Sequence, residues 1–106
     1  MSRAPHANAQ RGEATLDVAG CAVTLRPSFT ALVAAEEELG PLFAMVERAS
    51  EGQLRLSEIA TLFWHCCDPA QAISREAVGE AVLAMGLAEA AKPLRTLLKQ
   101  ILQGSV

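Results

Sequence analysis

The sequence predicts a mainly α fold of the α+β class: an N-terminal β-hairpin followed by about five short helices in a compact orthogonal bundle. Three observations predict it. Residues 13–26, EATLDVAGCAVTLR, alternate apolar and polar side chains on both sides of Ala19-Gly20, the period of two strands joined by a tight turn. From Pro27 onward apolar residues recur at helical spacing, and Ser, Gly and Pro interrupt them at intervals of about three turns. Apolar residues make up 51% of the chain but only three Phe and one Trp occur, so the core must be aliphatic and alanine-rich, which suits closely packed helices. A chain of 106 residues has the length of one domain and buries roughly two thirds of its unfolded surface.

Residues 1–12, MSRAPHANAQRG, are small and polar without a period and read as a disordered arm. Residues 13–106 form a single domain, with the hairpin at 13–26 and the helical bundle at 28–103. If Ala19-Gly20 is the loop, Val18 faces Cys21, Leu16 faces Val23 and Ala14 faces Leu25 on one side. Asp17 then faces Ala22, Thr15 faces Thr24 and Glu13 faces Arg26 on the other. A type I′ turn wants positive φ at both central residues and Ala19 supplies that poorly, so a longer loop is the alternative. A two-stranded hairpin is marginal alone and leaves both edges unpaired. It must therefore lie on the helices, and its edges offer strands to another chain.

Pro27-Ser28 closes the strand and caps a helix with the stripe Phe29, Leu32, Val33 and Leu39. Gly40-Pro41 ends it and starts a second, with Leu42, Met45, Val46 and Ala49, that stops at Gly52. The centre of the chain, 54–87, holds two capped helices. Ser57 is the expected N-cap of the first, with Ile59, Leu62, Phe63 and Cys66 as its stripe, and Asp68-Pro69 stops it. Ser74 caps the second, whose stripe is Val78, Ala81, Val82 and Met85, and Gly86 ends it. So short a link makes a hairpin or corner. The last helix places Leu87, Ala91, Leu94, Leu98 and Ile101 at helical spacing, widened by Leu97 and Leu102. Pro93 lies inside it and predicts a kink or a restart.

Little chemistry gathers anywhere. His65, Cys66 and Cys67 are consecutive on a helix and point about 100° apart, so they cannot converge on one ion. Cys66 lies on the core stripe as a small buried hydrophobe, and Cys67 sits at the helix end, partly exposed. The carboxylates of Glu36, Glu37 and Glu38 diverge in the same way, with no basic or histidine partner fixed nearby, and read as a solvated face. Gly79 has no phosphate-loop context and marks close helix packing. No Ser-His-Asp arrangement can be built from a histidine in the arm and one on an apolar helix. The chain is therefore expected to be no enzyme, with no catalytic, cofactor or metal residue.

The net charge of −3 and nine scattered Lys and Arg form no basic stripe, so nucleic acid is not an expected partner. No run of eighteen apolar residues and no signal peptide occurs, so no membrane partner is expected either. Three cysteines make no disulfide framework, which fits a reducing cytoplasm. Large or adaptable side chains remain as candidate contacts for a protein partner: Phe43, Met45, Trp64 and Met85. A hairpin edge or an apolar helix face also offers a route to a homo-oligomer.

Four short motifs in a fixed order carry a family resemblance over most of the chain from Gly12 on. They are R-G-E at Arg11 to Glu13; L-R-P-S-F-x-A-L at Leu25 to Leu32 with E-x-x-L-G at Glu36 to Gly40; G-x-L-R-L-S-E-I at Gly52 to Ile59; and E-x-V-G-x-x-[VI]-x-x-x-G-L at Glu76 to Leu87. The chain resembles the small gene transfer agent and tailed-phage proteins assigned as tail assembly chaperones, which are also catalogued as tail tube proteins. The resemblance implies a bacterial or prophage-encoded protein of the host cytoplasm. It implies a chaperone that holds the long apolar helices of the tape measure protein until tube subunits polymerise around it. Other tail proteins are further partners. A structural tail subunit, which would remain in the particle, and a small regulatory or adaptor domain are the rival readings. The Cys66-Cys67 pair and the Ala19-Gly20 turn depart from the family pattern.

Overall fold

The computed structural model describes residues 12–104; the expected arm falls on residues 1–11, outside the described residues, and on Gly12, which is buried. The order of elements is a hairpin and then five α-helices, the predicted class. Strands β1 (Ala14–Val18) and β2 (Cys21–Leu25) pair antiparallel in the predicted register, from Val18 opposite Cys21 to Ala14 opposite Leu25. Arg26 and Glu13 close the open end with an ion pair of 3.4 Å. The two-residue loop forms despite its alanine: Ala19 has φ 53° and Gly20 φ 84°. The left-handed conformation costs a residue with a Cβ roughly 1–2 kcal/mol. Register decides in its favour, because a slip of one residue would turn Leu16, Val18, Val23 and Leu25, all buried, out to solvent.

One expectation about the hairpin is corrected. The edge of β2 is not free: the Arg26 N–H donates to the Cys66 carbonyl at 2.8 Å, and Leu25 forms an isolated antiparallel bridge with Cys67. Only β1 has an outer edge with no strand beside it among the described residues.

Helix α1 (Phe29–Leu39) starts as predicted, with the Ser28 hydroxyl accepting the Ala31 N–H at 3.2 Å. Its buried face differs from the predicted stripe. Ala35 is fully buried, and Ala31, Leu32 and Leu39 pack beside it, while Phe29 and Val33 face solvent. The alanine side lets α1 approach α3 closely, and the bulky residues of the first turns are left outside. Helix α2 (Leu42–Ser50) follows Gly40-Pro41 and buries Leu42 and Met45. Its first N–H, on Leu42, is satisfied by the Glu36 carboxylate at 3.1 Å.

Helix α3 (Leu56–Cys66) begins before the expected cap. The capping residue is Arg55 and not Ser57, because Glu58 reaches back to accept the Arg55 N–H at 2.9 Å while Nη1 and Nη2 of Arg48 donate to it at 2.9 and 2.7 Å. A glutamate three residues into a helix closes this kind of reciprocal bond, and the tie to α2 selects it over the serine hydroxyl. The Arg48 side chain, then the Arg55 N–H, hold the Glu58 carboxyl below its ordinary 4.5. A carboxyl whose folded value is depressed stabilises the fold above its unfolded value and loses that contribution as pH falls through the folded one. Glu58→Gln is therefore expected to lower stability at pH 7 and to flatten its acid loss below about pH 4.5; urea midpoints measured from pH 7 to 3 check it, and parallel curves for the two proteins would refute it.

The stripe of α3 is as predicted, with Ile59, Leu62, Phe63 and Cys66 buried. After Cys67 the chain turns through a single 3-10 turn at Pro69–Gln71, capped by Asp68, which accepts the Ala70 N–H at 2.9 Å. Helix α4 (Arg75–Met85) is capped by Ser74 and buries Val78, Ala81 and Val82. Helix α5 (Leu87–Gln103) is a single element. No restart occurs at Pro93: the helix runs through the proline, which is buried along with Ala90, Leu94, Leu97 and Leu98, at the cost of one backbone hydrogen bond. Leu87 and Leu102, placed in the stripe by sequence, lie exposed near its ends. The hairpin sits on α4 and α5, and α3 packs between α1 and α4. The core centre is Leu16, Val23, Leu25, Met45, Leu62, Phe63, Val78, Val82 and Leu97.

Candidate partner-binding surfaces

The four predicted contact residues go to different places. Phe43 is 70% exposed, while Met45, two positions along the same helix, is 0% exposed. The geometry of α2 forces this, since residues two apart lie about 200° round the helix. Met45 is thus a core residue with no surface to offer a partner. Met85 is half-buried and packs against the core. Trp64 is also half-buried and already engaged: its indole N–H donates to the Ile73 carbonyl at 2.9 Å, and the Arg75 guanidinium stands 4.2 Å from its ring centroid. The structure does not bring these four together.

What it does bring together is a polar junction beside Trp64. Glu38 accepts from Nε2 of His65 at 2.9 Å with one carboxylate oxygen and binds the Arg75 guanidinium with the other. Glu38 thereby ties α1 to α3 and α4. The acidic run 36–38 is therefore not simply solvated: Glu36 caps α2 and Glu38 has two partners from distant helices, which no local pattern could reveal. Arg75, then His65, hold the Glu38 carboxyl below its ordinary range. The junction lies at the surface, where salt screens such pairs.

The thiols of Cys66 and Cys67 are buried. Burial pushes Cys66 up to about 12, with the neighbouring Cys67 adding to it. Burial raises Cys67 to about 11, and its Sγ donates to the Phe63 carbonyl at 3.3 Å. Cys67 is not partly exposed as expected but buried, held beside the end of β2 by its bridge to Leu25. The thiolate is the reactive form, and it is disfavoured at both positions. A cleft of about 350 Å³ opens between Trp64, Cys67 and Ile73. Among the described residues no three His, Cys, Asp or Glu side chains group so as to hold a metal ion. No described helix is long and apolar enough to cross a membrane.

Large apolar side chains nevertheless reach solvent on several helices. Phe29 is 84% exposed and has Val33 one turn on; Leu56 on α3 and Leu83 on α4 both line a second cleft, of about 300 Å³, between the two helices. Gly79 forms part of that cleft and does not mark close packing, since a Cβ built on it would meet nothing within 4 Å. Sequence reasoning missed Phe29, Leu56 and Leu83. The available signal for Leu83 was its place one position past the Val78, Ala81, Val82 stripe.

Residues 11–104 match the family model described as phage tail tube protein, GTA-gp10. No curated protein and no solved structure matches the chain.

Proposed function

We propose a chaperone role in tail assembly for this chain, which belongs to the phage tail tube protein, GTA-gp10, family. Membership supports a part in the tail of a phage or gene transfer agent and interaction with other tail proteins. The finer reading is that the chain shields apolar helices of the tape measure protein in the host cytoplasm before the tube closes around it. One observation carries this reading: a complete core coexists with Phe29, Phe43, Leu56, Leu83, Leu87 and Leu102 standing in solvent on helical surfaces. Such side chains on preformed helices suit reversible packing against another amphipathic helix. The reading asks for no catalysis.

A structural place in the tail tube is the second reading. The family description favours it, as does the outer edge of β1, which has no strand beside it among the described residues and can accept one. Co-expression with the tape measure protein of the same gene cluster separates the two. The chaperone reading expects a soluble complex recovered by pull-down and a tape measure that precipitates when this chain is omitted. A tape measure that stays soluble and unbound alone ends the chaperone reading, and the chain retained in purified tails at tube stoichiometry supports the structural one.

A further inference from the structure

The α3–α4 groove combines two sequence choices, one of them unfavourable within the isolated chain. Gly79 stands in the interior of α4 with ordinary helical backbone and open space where a Cβ would go; glycine there is less favourable than alanine, and no neighbour in the fold requires it. Glu76 and Glu80 lie one turn apart on the same helix, both exposed, and neither has an ion pair among the described residues. Like charges at that spacing repel. Both choices line one groove, which Leu56, Ala60 and Leu83 line as well. Local rules are broken where a site needs them broken. An absent side chain leaves room for a close-approaching partner, two leucines give it an apolar contact, and two unpaired carboxylates await positive charge.

We propose that this groove docks a basic amphipathic helix from a partner polypeptide. The helix lays an apolar face over Gly79, between Leu56 and Leu83, and sets two Lys or Arg residues one turn apart against Glu76 and Glu80. The proposal rests on the tail-assembly reading and deepens it, because it says which face of the chain takes the helix and which helices qualify. Apolar contact provides the adhesion, and the carboxylates select orientation and charge.

The test uses the intact chain, 15N-labelled, titrated with synthetic peptides tiling the apolar helical segments of the tape measure protein, each paired with a copy in which Lys and Arg are Gln. The expected result is amide shifts confined to residues 56–60 and 76–83, at least tenfold weaker binding of the Gln copies, and weakening with added salt. Gly79→Leu, whose Cβ has open space and whose longer side chain occupies the groove, is expected to weaken binding at least tenfold while melting no lower than the parent. Glu76→Gln with Glu80→Gln is expected to abolish the preference for the basic peptides. Shifts mapping elsewhere, or full binding by Gly79→Leu, overturn the groove and leave the chaperone reading intact. No binding by any peptide, together with no complex on co-expression, overturns both. Shifts that appear on raising the protein concentration alone assign the groove to a second copy and overturn the proposed partner.

Discussion

Truncation of Phe63 to alanine is expected to remove about 3–5 kcal/mol of folding stability. The ring is fully buried on α3, the helix that packs between α1 and α4, and it is the largest side chain wholly enclosed by the core. Because α3 packs against both α1 and α4, the shift of one helix alone does not close a cavity left on its buried face. A domain of this size is stable by roughly 5–15 kcal/mol in all, and each kcal/mol moves its melting temperature by about 4–8 °C. Equilibrium urea unfolding should show a much lower midpoint with an unchanged slope. Phe43→Ala is the control: the same atoms are deleted from a side chain 70% exposed, and the change should stay within about 0.5 kcal/mol. A loss below about 1 kcal/mol at Phe63 would mean that α3 is not the centre of the packing.

The contrast between these two phenylalanines also shows what the sequence could disclose. Local patterns placed the hairpin register, the caps at Ser28 and Ser74, and the stripe of α3 correctly, because each depends on residues a few positions apart. Periodicity says which residues of a helix share a face and is silent on whether a neighbour covers that face. Phe29 and Val33 have the spacing of a core stripe but lie exposed, because α1 meets α3 through alanines. Ser57 looked like a cap, but Arg48, on another helix, drew Glu58 into the capping role for Arg55. Glu38 looked solvated because its partners, His65 and Arg75, come from α3 and the start of α4. At the candidate surface the same limit applies: Glu76, Gly79 and Leu83 share a face by spacing, and only the fold sets Leu56 and Ala60 opposite them.

Gly12→Ala is expected to be the most damaging change outside the core centre. Gly12 holds φ 76°, and an added Cβ would lie 2.2 Å from Cβ and 2.5 Å from Cγ of Gln100 on α5. The first effect costs on the order of 1 kcal/mol for any residue with a side chain. The second cannot be relieved by a rotamer change, because a Cβ moves only with its backbone; either the start of the hairpin or the last turns of α5 must give way, at roughly 1–3 kcal/mol. The two contributions can be separated. In a Gln100→Gly background the steric conflict disappears, and Gly12→Ala should then remove only the conformational part, whereas Gln100→Ala removes the Cγ contact but keeps the closer Cβ one and should rescue little. A double-mutant cycle by urea unfolding reads the difference as a coupling of about 1–3 kcal/mol. Equal losses in the parent and Gln100→Gly backgrounds would show that Gly12 serves its φ alone. The glycine of the R-G-E motif would then set the path of the chain into β1 without fastening the hairpin to the C-terminal helix.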